Sequence, residues 1–201
     1  MFYSLRGAYP SSLPFRIRLS NGQTRTDPIT FTAEEIADAG YVSVEYPPTP
    51  ASNQVLEWDS VNLAWKLRSK TEQELQTERA QTQAQINQIR DQRVAQGFLF
   101  QGNMFDSREE DQKRIAGATQ LAFMAIMSGA QPGDYTWAGE GTFQWIAQDN
   151  TLVNMDAQTV VEFGRIAAAW ERAHVFAARS LKDMEVIPEN YSDDIWWPSA
   201  V

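Results

Sequence analysis

The chain has no cysteine and only one histidine among its 201 residues. Disulfides and thiolate chemistry are therefore excluded, and a metal site built from several histidines is excluded within a single chain. The apolar runs are much shorter than a membrane span, so we expect no membrane insertion. The opening residues lack a charged start followed by an apolar run, which predicts that they are not a signal peptide.

Basic residues are scarce in the second part of the chain. Residues 1–70 carry seven basic and seven acidic groups, whereas residues 71–201 carry ten basic and nineteen acidic groups and account for the net charge of −9. This imbalance argues against nucleic acid as a partner, since phosphate binding needs clustered lysine and arginine. The solubility of an acidic surface is an adequate explanation for the charge itself.

Hydrophobic residues make up 43% of the chain, which is enough for an ordinary core. Local patterns predict an α+β fold with small β-rich modules at the N-terminus, a long polar helix and a mainly helical C-terminal bundle with short β-hairpins. We expect five segments: a ββαβ module (1–46), a Pro-rich connector with a Trp hairpin (47–70), the polar helix (71–96), a helical domain (97–187) and an acidic tail containing tryptophan (188–201).

Residues 71–96 contain neither glycine nor proline, and good helix formers dominate them. As a helix they would span about 39 Å. In one interpretation the helix pairs with copies of itself as a dimer or trimer, with a trimer favoured, through Leu75, Ile86 and Ile89. In the other, its far end packs on the following domain and its near end is a solvated spacer. Half of the heptad seam is polar, so the pattern does not choose between them.

Turn and capping signals define the ββαβ module. Phe15 to Leu19 alternates apolar and basic residues, as a half-buried strand does, and Asn21-Gly22 predicts a hairpin turn. Thr32 and Glu35 have the spacing of a capping box at the start of a short helix. Residues 41–46 alternate again and predict another strand.

Trp58 and Trp65 lie on the two predicted strands of a second hairpin, 54–59 and 63–68. One hypothesis makes them a stacking platform for a sugar ring. The alternative, which we favour, is a cross-strand pair that stabilises the hairpin. The hairpin edge would also offer a docking site for another protein.

The C-terminal domain is predicted to open with a hairpin over 98–105, followed by a helix. Asp106 or Ser107 would cap this helix, and we favour capping over metal binding for the acidic residues that follow. Its predicted buried face consists of six residues: Ile115, Ala118, Leu121, Ala122, Ala125 and Ile126. Residues 143–147 predict a short strand.

The last helix, about residues 157–184, has the clearest amphipathic pattern, and Asp156 is its predicted N-cap. His174 on this helix has no nucleophile or acid paired with it in the sequence. We interpret it as a partly buried histidine whose hydrogen bonds are satisfied, rather than as a base or ligand.

Trp196 and Trp197 are adjacent in an acidic tail, where two such rings rarely stay solvated. They either fold back onto the helical domain or dock on a neighbouring subunit, since tryptophan is favoured in interface hot spots. The sequence leaves both alternatives open.

The sequence also lacks a nucleophile–base pair, metal-ligand spacing and a cofactor-binding loop. We therefore expect neither an enzyme nor a bound cofactor.

Small motifs across the chain resemble proteins of bacteriophage tails. Residues 90–187 are similar to a domain of unknown function common in such proteins, on motifs that include Phe100-Gln101-Gly102, Phe105-Asp106, Ile115-Ala116-Gly117-Ala118 and Ala177-Ala178-Arg179. The opening, with Ala8-Tyr9-Pro10 and Val55-Leu56-Glu57-Trp58, resembles the N-terminal part of tail-fibre or tail-fibre-assembly proteins. The double-Trp tail lies outside this pattern.

The resemblance implies a virion protein made in the host cytoplasm: a short tail fibre or a baseplate-associated component that contacts other tail proteins and forms homo-oligomers. An assembly chaperone for tail fibres is the alternative. A third hypothesis is a module that binds host surface glycans through Trp58 and Trp65. The family provides no catalytic residues.

Overall fold

The computed structural model describes residues 1–199 of the chain. Its fold is α+β, as predicted, with four α-helices and five antiparallel two-stranded sheets in these residues. The chain divides into two compact units, unit 1 (Met1–Glu78) and unit 2, which begins at Arg79. Each unit is described separately below.

Unit 1 consists of three two-stranded sheets, one short α-helix and a 3-10 helix, Pro28–Thr30. Its elements are β1 (Phe2–Leu5), β2 (Arg16–Arg18), β3 (Thr24–Thr26), α1 (Ala33–Asp38), β4 (Tyr41–Val44), β5 (Gln54–Asp59) and β6 (Ala64–Ser69). Ile17, Phe31 and Val44 are its buried apolar side chains. With so small a core, the hairpins depend on their turns and cross-strand pairs.

Two local signals of unit 1 give the predicted structure. The β2–β3 hairpin turns at Asn21-Gly22, where Gly22 has a φ of 85°. The Thr32 hydroxyl accepts a hydrogen bond from the Glu35 N–H, and the Glu35 carboxylate accepts one from the Thr32 N–H, so the predicted capping box is confirmed. The sequence prediction missed β1, which pairs with β4 about 40 residues later in the chain.

The predicted long helix is confirmed as α2 (Glu72–Ala95). The boundary between the two units falls inside this helix, between Glu78 and Arg79. In unit 1, Glu74 lies in the first turn of the helix. Its carboxylate accepts hydrogen bonds from the Thr71 N–H and from both terminal nitrogens of Arg68. One continuous helix therefore belongs to both units.

Unit 2 contains the C-terminal part of α2, six further strands and α-helices, and a short 3-10 helix, Asp194–Trp196. The strands and α-helices are β7 (Phe98–Phe100), β8 (Asn103–Phe105), α3 (Glu109–Met127), β9 (Gln144–Ile146), β10 (Leu152–Asn154) and α4 (Ala157–Asp183). The β7–β8 hairpin was predicted, whereas β10, which pairs with β9, was not.

The main core of unit 2 is aromatic. Phe98, Phe105 and Phe163 are fully buried, with ring centroids 4.8–6.2 Å apart. Gly97 precedes β7 with a φ of 96°, and a β-carbon there would collide with the Phe105 carbonyl oxygen. Gly164 lets α4 approach α3 closely, since a β-carbon there would overlap the Thr119 side chain. Glycine at these two positions lets the core close.

The helix starts in unit 2 were predicted with mixed success. Asp156 caps α4 as predicted, because its carboxylate accepts a hydrogen bond from the Thr159 N–H at 2.8 Å. The predicted cap of α3 at Asp106 or Ser107 is wrong. The N-cap is Arg108, whose backbone N–H donates to the Asp111 carboxylate at 3.2 Å. Ser107 is instead buried behind the helix start.

Candidate functional site

Trp58 and Trp65 are directly opposite each other in the β5–β6 hairpin. Their rings meet edge to face with centroids 5.1 Å apart, and Tyr9 packs edge to face on Trp65 at 5.2 Å. The Trp58 indole N–H donates to the Gly7 carbonyl oxygen, and the Trp65 indole N–H donates to the Glu45 carbonyl oxygen. These contacts are those of a cross-strand pair that fixes the hairpin within unit 1. A flat stacking platform would instead require coplanar, open ring faces.

The three residues of the predicted self-association seam have different environments. Leu75 is 40% exposed in unit 1. In unit 2, Ile86 is fully buried against Ala178 and Leu181 of α4, and Ile89 is partly buried beside it. Ile86 is therefore not available for a seam between copies, and the alternative in which the far end of the helix packs on the following domain describes these contacts.

Trp197 completes this second cluster of unit 2, which we call the C-terminal cluster and define as Ile86, Ala178, Leu181 and Trp197. Trp197 is only 6% exposed, and its indole N–H donates to the Tyr191 carbonyl oxygen at 2.8 Å. Trp196 is partly buried at its edge. Trp196 and Trp197, predicted as a possible docking anchor, thus pack on residues of the same chain, as in the fold-back alternative.

Arg93 of α2 fastens the C-terminal segment to the helices. Its guanidinium donates to the Ser192 carbonyl oxygen and to the Asp194 carboxylate, both at 2.7 Å, and lies 5.4 Å from the centre of the Trp197 ring. Tyr191 adds a hydrogen bond from its hydroxyl to the Gln85 side-chain oxygen. A guanidinium over an aromatic face is attractive, so the same arginine binds backbone, carboxylate and ring.

His174 lies beneath Trp197, at the wall of a cavity of about 260 Å³. Its Nδ1 is 3.0 Å from the Trp170 carbonyl oxygen and must donate, while the buried Nε2 has no hydrogen-bond partner in the described part of the chain. His174 was predicted to be partly buried, and at 1% exposed it is more deeply buried than that. The prediction that its hydrogen bonds are satisfied holds for Nδ1 but not for Nε2. Burial lowers the pKa of His174, and the positive charge of Arg93 lowers it further.

The surface that the sequence prediction missed lies on α3. Leu121 was predicted to be buried but is 58% exposed. Three further apolar side chains of this helix are exposed as well: Phe123 (57%), Met124 (52%) and Met127 (75%). The signal was present in the sequence, because no charged residue occurs from Ile115 to Met127. A helix that is apolar on several sides cannot bury all of its apolar side chains against a single core. This face is therefore the candidate site for a protein contact.

Two further searches bear on the type of site. Within residues 1–199, no group of three histidine, cysteine, aspartate or glutamate side chains is arranged to hold a metal ion. None of the helices in that range has the length and hydropathy needed to cross a membrane.

The structure is thus a two-unit α+β protein with an exposed apolar face on α3. The chain belongs to the family described as a domain of unknown function, DUF4376, which matches residues 77–195. No curated protein and no solved structure matches the chain. The family match begins within α2 and ends just before Trp196, so both Trp196 and Trp197 lie beyond it.

Proposed function

We propose that this protein is a structural component of a bacteriophage tail, a short tail fibre or baseplate-associated protein that acts through protein–protein attachment. The observation that carries the proposal is the division of the chain into two units that share the continuous helix α2. A connector needs two separately folded parts, each with its own contact surface. The resemblance of both parts to phage tail proteins gives this arrangement its context.

The contact chemistry on unit 2 supports attachment rather than catalysis. Four large apolar side chains of α3 are more than half exposed. Contiguous apolar surface of this kind marks protein interaction sites in soluble proteins. In the proposed role this face meets another tail subunit, and the protein reaches the virion after synthesis in the host cytoplasm.

An assembly chaperone for tail fibres is the second candidate, and the same α3 face favours it. A chaperone must hold apolar segments of its client until assembly is complete, and exposed methionines suit this task because their flexible side chains adapt to different partners. The two functions differ in whether the protein remains in the finished particle.

The geometry of Trp58 and Trp65 gives less support to glycan binding. Each indole N–H is already bonded to a backbone carbonyl, and the two rings meet edge to face. A sugar ring stacks on an open aromatic face, whereas Trp58 and Trp65 contact each other and Trp65 also contacts Tyr9.

The deciding experiment is quantitative mass spectrometry of purified virions, compared with the lysate in which they were produced. A fixed number of copies per particle supports the structural role. Absence from virions, together with tails that lack fibres when the gene is deleted, would establish the chaperone instead. Absence from virions with normal tails after deletion would overturn both.

A further inference from the structure

The short sheet of β9 and β10 in unit 2 has a strand edge on each side, and the edge of β9 is defined by its hydrogen bonds. The Met155 N–H donates to the Phe143 carbonyl oxygen at 3.1 Å, and the Ala147 N–H donates to the Thr151 carbonyl oxygen at 2.9 Å. In an antiparallel pair, residues that bond across the pair alternate with residues whose backbone groups point the other way. Every second residue between Phe143 and Ala147 therefore has its N–H and C=O groups on the outer edge of β9.

The outer-edge positions are Gln144 and Ile146, followed by Gln148 just after the strand. The Gln148 N–H donates to the Met104 carbonyl oxygen at 2.9 Å, so β8 reaches this edge just beyond the end of β9. Within residues 1–199, the backbone N–H and C=O groups of Gln144 and Ile146 have no hydrogen-bond partner in another element. The edge thus has the first bond of a third strand at one position and is open at the next two.

A groove of about 450 Å³ follows the open part of this edge. On the sheet side it is lined by β9 and the turn after it, and none of its described lining residues belongs to β10, so the groove lies on the outer side of β9. Its other wall is formed around the start of α3 by Asp106, Arg108, Asp111 and Arg114. The volume is within the range of about 300–1,000 Å³ that is usual for binding pockets.

The charges of this wall cancel. Arg108 bonds to Asp106 and Asp111, at 2.8 and 2.9 Å, and Arg114 lies 3.4 Å from Asp111. What the groove leaves unmatched is main-chain hydrogen bonding: two N–H and two C=O groups on residues two apart, about 7 Å along the strand. An extended polypeptide is the chemical class with donors and acceptors at this spacing.

The side chains of β9 indicate which residues suit a third strand. Ile146 and Leu152 are directly opposite each other on the outer face of the sheet and are 60% and 57% exposed. Trp145 points to the other face and packs on the buried Phe163 ring, with centroids 5.2 Å apart. A strand docked beside β9 would therefore place an apolar or β-branched side chain next to Ile146 and extend the apolar outer face.

We propose that the outer edge of β9 binds an extended segment of a partner protein as a third strand. The segment forms main-chain hydrogen bonds with Gln144 and Ile146 and places an apolar side chain beside Ile146. The inference rests on the proposed function, for which it supplies one of the protein contacts. It involves none of the exposed apolar side chains of α3.

A proline substitution in the full chain tests the edge, because proline removes one N–H and is tolerated where that group does not serve the ladder. The test variant is Ile146→Pro, and the matched control is Ile146→Ala, which loses the same side chain but keeps the N–H. The natural protein is the bait for a library of short random peptides displayed on yeast. We expect the enriched peptides to bind Ile146→Pro about tenfold more weakly than Ile146→Ala.

Amide hydrogen exchange locates the bound peptide on the sheet. In the free protein the outward N–H groups of Gln144 and Ile146 should exchange quickly, and a bound peptide should slow both. The Leu152 N–H, on the outer edge of β10, is the internal control and should not change. Far-UV circular dichroism shows whether Ile146→Pro folds. If it does not, Gln144→Pro against Gln144→Ala repeats the comparison at the other open position.

Three results would overturn the inference: a library that yields no binder, peptides that bind both variants of a pair equally, or slowed exchange at positions other than the β9 edge. Peptides that behave as expected, for a protein that is absent from virions, would retain the strand contact and overturn the tail-component role. A fixed copy number in virions without edge-dependent peptides would do the reverse.

Discussion

His174 and Trp197 lie nearly parallel in unit 2, with ring centroids 6.3 Å apart and planes inclined by 20°. One ring belongs to α4 and the other to the C-terminal segment. Arg93 of α2 lies by the same tryptophan. Residues of α2, α4 and the C-terminal segment therefore meet at this one indole, and its removal should loosen all three.

We expect Trp197→Ala to lower the free energy of unfolding of unit 2 by about 3–5 kcal/mol, the usual effect of removing a buried large aromatic ring. The side chain is 6% exposed and covers Ile86 and Leu181. Urea denaturation would measure the loss. The control is Ile195→Ala, whose side chain is 77% exposed and should change stability by no more than about 0.5 kcal/mol. Equal, small effects of both variants would contradict the fold-back contacts.

Unit 2 should lose stability as the pH falls below about 6.5. Burial lowers the pKa of His174 from its ordinary value of 6.5, so the unfolded chain takes up a proton at a higher pH than the folded chain. In the window between the two pKa values the unfolded state binds more protons, and stability decreases with falling pH. Urea midpoints measured from about pH 8 to about pH 5 would show this.

The matched variant for this pH effect is His174→Gln, which retains a hydrogen-bond donor but does not titrate. Since carboxylates contribute to both curves, the difference between the two proteins isolates the histidine. The same pH dependence in both would mean that His174 is already free to protonate in the folded state.

Lysine substitutions separate the two alternatives for α2. Ile86→Lys would place an unpaired charge in the C-terminal cluster, and we expect a loss of more than about 4 kcal/mol in the stability of unit 2. Leu75→Lys, at a 40% exposed position of the same helix, should be nearly neutral. Thermal denaturation and light scattering together provide the test. An Ile86→Lys protein with unchanged melting but lower mass would restore the self-association seam.

Trp58→Ala should destabilise unit 1 by about 2–3 kcal/mol, somewhat less than a fully buried ring, because the indole is only partly buried. The variant loses the edge-to-face contact with Trp65 and the hydrogen bond to Gly7. Chemical shifts of unit 1 residues during denaturation would report the change. Val61→Ala, at an 87% exposed position in the turn of the same hairpin, is the control. Intact stability combined with loss of binding to a glycan array would revive the sugar platform.

Local sequence signals predicted local structure well. Asn21-Gly22, the pair Thr32 and Glu35, and Asp156 each fix a turn or a helix start through bonds within a few residues, so their outcome depends little on the rest of the chain. The strand β1 was missed because its partner β4 is distant in sequence and its own four residues carry no alternation that identifies a strand.

Burial was harder to predict than secondary structure. Leu121 fits the spacing of the core residues of α3, yet the helix is apolar on several sides, so periodicity could not identify the face that points inward. For Ile86 and Trp197 the sequence offered partners in the same chain or in another copy. Only the three-dimensional arrangement of α2, α4 and the C-terminal segment distinguishes them.

The hydrogen bond between Tyr191 and Gln85 joins positions 106 residues apart in sequence. During synthesis, α2 therefore leaves the ribosome long before α4 and the C-terminal segment, which together cover Ile86, exist. Over that interval the apolar side of α2 is open, and contacts of such large sequence separation form slowly even in a complete chain. A nascent chain stalled before α4 should accordingly expose Ile86 to chaperones, and completion of α4 and the C-terminal segment should end that exposure.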